Sequence, residues 1–185
     1  MVIRAGLPRL LKLIRGNRSP SAGWTLIEIG AVTMIVGILA SLAMPSFVQM
    51  QARRNTKANL SALKQSLQQA QRNAIKMGKE CMVRMDTTSD PPRLRVETET
   101  QYAGCLPNGT VLLKDANFYE NFPGTTIRFS FKGNSTNLGT IVVESSQVTG
   151  IRYCLVMSNF IGMMRSGIYE AAPPTISSAN CKTAI

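Results

Sequence analysis

From Trp24 to Val48 the chain carries apolar and small side chains with scattered hydroxyls, and a single ionisable group, Glu28. The apolar run inside it, residues 29–44, is 16 residues long, and the whole stretch is 25. A bilayer's hydrocarbon core takes about 20 residues of helix, so the pattern predicts a helix able to span a membrane. Beyond residue 48 the pattern changes. At about 100° per residue, Leu60, Leu63, Leu67, Ala70 and Ala74 fall on one face, while Arg54, Arg72, Lys76 and Lys79 fall on the opposite one. That spacing predicts an amphipathic helix over residues 49–80, continuous with the apolar one. Pro45 has no amide hydrogen and crowds the preceding turn, so a kink is expected there. Gly78, flanked by Lys76 and Lys79, offers the helix a stop.

After residue 80 the period shortens. Residues 81–85, 93–99, 111–114, 127–131, 141–144 and 151–157 alternate or run apolar. Asp90-Pro91-Pro92, Pro107-Asn108-Gly109, Gly133-Asn134 and Gly150 stand between them, which reads as short antiparallel strands joined by turns. The expected fold class is α+β: a long N-terminal helix, transmembrane and then amphipathic, packed against a C-terminal antiparallel β-sheet domain. Leu60, Leu63 and Leu67 supply the docking stripe. The expected organisation is a leader over residues 1–23, an apolar helix over 24–48, an amphipathic helix over 49–80 and a β domain over 81–185. With 185 residues in all, one globular domain fits.

Charge changes this picture at the N-terminus. Arg4, Arg9, Lys12, Arg15 and Arg18 precede the apolar stretch with no acidic residue among them, so residues 1–23 are expected to stay in the cytoplasm and everything after Val48 to lie outside it. Glu28 is then an anomaly, because an ionised group inside a membrane helix costs about 2.5–3.5 kcal/mol on insertion scales and calls for a specific partner. Gly23 stands between the basic leader and the apolar stretch, where a processing enzyme needs a small, accessible residue. Three readings compete: a permanent signal anchor in which Glu28 is tolerated near the interface; a cleaved secretory signal with Ser41-Leu42-Ala43 as its small-x-small site; and a third that accounts for Gly23 and Glu28 together.

In that third reading, Gly23-Trp24-Thr25-Leu26-Ile27-Glu28 resembles the cleavage site of the type IV prepilin family. A glycine precedes an aromatic first mature residue, and glutamate stands fifth. Gly37 and Pro45 also fall where such N-terminal helices carry a glycine and a proline; Trp24 stands where most members have phenylalanine. The resemblance implies cleavage after Gly23 by prepilin peptidase, N-methylation of Trp24, and assembly in which Glu28 meets the terminal ammonium of a neighbouring subunit. That pairing would set register, since a subunit out of step leaves both charges bare. The implied partners are other pilin subunits, the peptidase and the inner membrane, with a periplasmic or extracellular filament after assembly.

A second resemblance lies further on. Phe129-Ser130-Phe131-Lys132-Gly133, Thr140-Ile141-Val142-Val143, Tyr153-Cys154-Leu155-Val156-Met157-Ser158 and Ile161-Gly162 are similar to the C-terminal domain of minor pilins and pseudopilins of the GspH/FimT type. This implies a minor pilin that joins or primes a type IV pilus; a type II secretion pseudopilin and a DNA-binding minor pilin for natural transformation are the alternatives. Members that bind DNA carry Gly-Arg-x-Arg. Here Gly162-Met163-Met164-Arg165 lacks the first arginine and leaves Arg165 as the one candidate DNA contact.

Cys81, Cys105, Cys154 and Cys181 all lie in the part expected outside the cytoplasm, where an even count suggests two disulfides. Three connectivities are possible; local closure favours Cys81 with Cys105 and Cys154 with Cys181, each contributing about 3 kcal/mol in the chain-entropy picture. The chain has no histidine and no close Cys-x-x-Cys pair, so no metal site is expected. Without an imidazole there is no Ser-His or Cys-His nucleophile pair. Asp86, Asp90, Glu97 and Glu99 surround one hairpin without a catalytic pattern, and no phosphate-cradling glycine loop suggests a cofactor; an enzyme is not expected. The formal charge of +11 falls to +6 once the leader's five cations are removed, leaving 16 basic against 10 acidic side chains. Seven of those 16 lie on residues 49–80, where they form a solvated face, meet lipid headgroups or an acidic neighbour through Arg53, Arg54 and Lys57, or attract an anionic partner such as nucleic acid.

Overall fold

The computed structural model describes residues 24–98, 100–158 and 160–183. Its internal contacts divide the chain into two units, Met1–Ala43 and Met44–Ile185. One helix, α1 (Leu26–Met77), contributes to both and contains Pro45. It is the one helix among the described residues long and apolar enough to cross a membrane. In the first unit its large side chains are bare: Leu26 is 91% exposed and Ile27 80%. The hydroxyls there bond back to the helix, Thr33 Oγ1 donating to the Gly30 carbonyl at 3.0 Å and Ser41 Oγ to that of Ile38 at 2.7 Å. Such back-bonding satisfies the donors without water, as an apolar environment requires.

In the second unit α1 buries a stripe that runs Ala52, Thr56, Leu60, Leu63, Leu67, Ala70, Ala74, stepping by three or four residues. Thr56 fits because its Oγ1 donates to the Ala52 carbonyl at 2.7 Å. Amides at the margins of the stripe tie loops to the helix. Asn59 donates to the Lys114 carbonyl, Gln71 to that of Gly133, and Asn73 to those of Gly104 and Cys105. The helix ends where Gly78 takes φ 63°, with the Gly78 amide donating to Ile75 and the Lys79 amide to Ala74. These two bonds form the Schellman arrangement.

The β domain has two antiparallel sheets. The first contains β1 (Cys81–Asp86), β2 (Arg93–Val96), β3 (Thr110–Leu112) and, after β4 (Ala116–Glu120), β5 (Thr126–Phe129), ordered β3-β2-β1-β5. The second holds β4, β6 (Gly139–Ser145), β7 (Arg152–Met157), β8 (Met164–Tyr169) and β9 (Cys181–Lys182), ordered β4-β6-β7-β8-β9. The main core lies between α1 and the sheets. Leu63 and Leu67 share one buried cluster with Val83, Leu94, Ile127 and Phe129 of the first sheet and Ile141, Val143 and Leu155 of the second. With its apolar helix and antiparallel sheets, the architecture is α+β.

The pattern reading misses β4, β8 and β9 and carries β2 to residue 99, whereas the strand stops at Val96. From there the chain turns, the Tyr102 amide donating to the Thr98 carbonyl at 2.9 Å. The missed strands share a cause in the second sheet, which is covered on both faces. Val142, Cys154 and Val156 point away from the main core into a second cluster with Tyr169 and Cys181, beneath the C-terminal segment. β6 is accordingly buried along nearly all its length, as a sheet covered twice should be.

The C-terminal segment acts as a strap. Cys154 of β7 and Cys181 of β9 are disulfide-bonded with Cα atoms 5.8 Å apart, although β8 lies between their strands. Neighbouring strands are themselves about 4.8 Å apart, so β9, though paired with β8, must curl over the face of β8 to bring Cys181 this close to Cys154. Gly167 stands opposite Cys154 at the place where this happens, and a Cβ there would collide with the Lys182 carbonyl. Its alternate neighbours hold the strap down. Arg165 Nη1 donates to the Cys181 carbonyl and Nη2 to that of Ser178, both at 2.8 Å. Tyr169 Oη donates to the Thr175 carbonyl and accepts from the Ser177 amide, each at 3.1 Å.

Candidate functional site at the head of the long helix

The helix begins immediately after the predicted processing point. Gly23 and the leader lie outside the described residues; Trp24 is described and is 68% exposed. Thr25 starts the helix: its carbonyl accepts from the amides of Glu28 at 3.0 Å and Ile29 at 3.2 Å, and its Oγ1 accepts from the Glu28 amide at 3.3 Å. Thr25-Leu26-Ile27-Glu28 is therefore half of a capping box, a hydroxyl at the cap and a glutamate three residues on. This signal was legible in the sequence and escapes a reading that treats Glu28 solely as a membrane anomaly. Within one chain the carboxylate has a helical reason for its place, the positive end of the dipole in the first turn.

The first turn does not neutralise Glu28. Its side chain is exposed, and among the described residues no cation pairs with it. The surrounding face is apolar and equally bare, with Ile29, Val32, Ile35, Val36 and Leu39 all between 44% and 61% exposed. A surface of this kind needs a covering of lipid or of like helices, and the carboxylate in it needs a cation.

The cysteines form two disulfides, Cys81–Cys105 and Cys154–Cys181. The first closes the chain beside the end of α1, where Asn73 grips the Gly104 and Cys105 carbonyls. The carboxylates around the first hairpin are held by arginines: Asp86 by Arg93 at 3.2 Å and Arg95 at 3.8 Å, and Glu97 by Arg84 at 2.6 Å. Thr88 donates to Asp86 Oδ1 at 2.9 Å and is the main reason that carboxyl sits below its ordinary value of 3.8; partial burial opposes it, and Arg93 and the Ser89 amide add to the lowering. Asp90 is exposed in the turn that follows, and Glu99 lies outside the described residues. Among the described residues no three His, Cys, Asp or Glu side chains come together to hold a metal ion. Arg165 is half-buried, its guanidinium bonded to the strap.

Forty-four residues of the chain are 50% identical to a protein named Type IV major pilin protein PilA, from Myxococcus xanthus (strain DK1622). The match covers 22% of this chain and 20% of that protein, so the chain matches about a fifth of that relative's length. No family model and no solved structure matches the chain. The identity over that stretch supports a type IV pilin-like family.

Proposed function

We propose that this chain is a structural, non-enzymatic subunit of a type IV pilus: cleaved after Gly23, methylated on Trp24 and assembled with other pilin subunits through its N-terminal helix, within which Pro45 provides a point of bending. The observation that carries the proposal is the head of α1, an uncompensated Glu28 in the first turn of a bare apolar helix that starts two residues past Trp24. Cleavage there creates an ammonium next to the turn that holds the carboxylate. Two such helices packed side by side can neutralise the carboxylate of one with the amine of the other, and only one stagger does so for every subunit. The match to a major pilin supports the same reading. Before assembly the precursor sits in the inner membrane with its basic leader in the cytoplasm.

The role is that of a minor pilin, following the resemblance of the β domain to the GspH/FimT type; a type II secretion pseudopilin remains the alternative within the same architecture. A DNA-binding role fits less well, because the guanidinium of Arg165 is bonded to two backbone carbonyls of its own chain and its neighbour at position 163 is a methionine. Mass spectrometry of the membrane-extracted protein tests the processing: an N-terminus at methylated Trp24 is expected, and one at Met44 would favour signal peptidase instead. Glu28→Val tests the pairing. The variant should be cleaved normally and be missing from sheared filaments, and normal incorporation would refute the role of Glu28.

A further inference from the structure

Outside the apolar N-terminal stretch, most of the exposed large apolar side chains among the described residues gather at one corner of the β domain; Leu112 and Ile168 lie elsewhere. The loop following β5, the loop between β7 and β8, and the last turns of α1 converge there. Gln71 donates to the carbonyls of Gly133 at 2.8 Å and Ile161 at 3.3 Å, and the Ser135 amide donates to the Phe160 carbonyl at 2.8 Å. Gly133 and Gly162, with φ of 81° and 74°, make the close approach possible: a Cβ on the first would press into Ile75 and one on the second into Gln71. The backbone is thus satisfied internally while the side chains point out. Ile75 is 53% exposed, Phe131 55%, Phe160 66%, Ile161 60% and Met163 57%.

Three cations stand at this corner. Lys132 stands 5.6 Å from the centre of the Phe131 ring, and Arg72 and Lys76 lie three residues before and one after Ile75 on the exposed side of α1. The nearby carboxylate, Glu80, is engaged by Arg128 at 2.9 Å. An apolar centre with a charged rim has the anatomy of a protein interface. We infer that this corner docks another protein through a segment whose apolar side chains are flanked by carboxylates. Charge complementarity selects the occupant. Four carboxylates that a second copy would offer, Glu80, Asp86, Glu97 and Glu144, are already held by its own arginines. Nucleic acid would use the two phenylalanines as stacking platforms but gains nothing from Ile75, Ile161 and Met163. Aliphatic and thioether side chains favour an apolar wall of matching shape. The inference is independent of the pilus reading.

The test uses the full chain in detergent micelles and a labelled 18-residue amphipathic peptide of Leu and Glu at helical spacing, with the same peptide carrying Lys for Glu as its counterpart. Fluorescence anisotropy should show binding of the acidic peptide alone. Ile161→Ser, which leaves every charge in place, and Lys132→Glu should each weaken it by about tenfold or more. Circular dichroism should match the parent, because both side chains are exposed. Three results would overturn the inference: undiminished binding by Ile161→Ser, since charge alone would then explain it; tighter binding of a 20-nucleotide oligothymidine; and displacement of the peptide by phosphatidylglycerol doped into the micelles.

Discussion

Replacing Gly167 with alanine tests how the C-terminal strap is held. The new methyl group meets the Lys182 carbonyl, so β9 must lift from the face of β8 or the strands must distort. Lifting separates the pairs Ile168 with Lys182 and Tyr169 with Cys181, and draws the Ser178 and Cys181 carbonyls away from Arg165. Hydrogen bonds to a charged group contribute about 1.5–3 kcal/mol each, so freeing both costs roughly 3–6 kcal/mol. The disulfide opposes the movement by keeping Cys181 beside Cys154. With a sequence separation of 27 it contributes about 3.5 kcal/mol by chain entropy. Gly167→Ala should therefore lower stability by about 3 kcal/mol or more, read as urea unfolding of the full chain in micelles by near-ultraviolet circular dichroism, to which the buried Tyr169 contributes. In a Cys154→Ala/Cys181→Ala background the strap is free to rise, and the same substitution should cost at least about 1 kcal/mol less. A loss under about 0.5 kcal/mol in the parent, or equal losses in both backgrounds, would show that the strap does not press on Gly167.

Three further outcomes follow from the same packing. Leu63→Ala, at a fully buried position of the docking stripe, should cost about 2–5 kcal/mol in the same unfolding assay, whereas Ser61→Ala on the exposed side should cost under about 0.5. Removing the other disulfide by Cys81→Ala/Cys105→Ala should cost about 3.5 kcal/mol for its separation of 24, and a change in unfolding midpoint too small to correspond to 1 kcal/mol would refute the chain-entropy account there. Asp86 has a folded pKa below its unfolded value of 3.8, so its contribution is present above that value and lost as pH falls through the lower folded one. The stability gap between the parent and Asp86→Asn should hold steady from pH 7 to 5 and narrow below about pH 4; a gap that widens on acidification would reverse the assignment.

What the amino-acid pattern determined by itself is local and periodic. The apolar stretch around Glu28 and the stripe through Leu60, Leu63 and Leu67 are visible because a helix repeats every 3.6 residues whatever lies beside it. The early strands of the first sheet show up for the same reason at a period of two. The cap at Thr25 was equally legible, since it joins residues three apart. Tertiary structure decided the second sheet and the strap. Arg165, Gly167 and Tyr169 form one outward row of β8, yet as a cation, a bare backbone and an aromatic they share no hydropathy signal. Their common purpose is to hold and clear residues 175–182, which reach them only after the chain has turned back. The same return commits Arg165 to its own backbone, and the meeting of two loops with the end of α1 assembles the basic, apolar corner. Contacts between residues far apart in the chain depend on strand register, and register is settled by packing on both faces of the sheet at once.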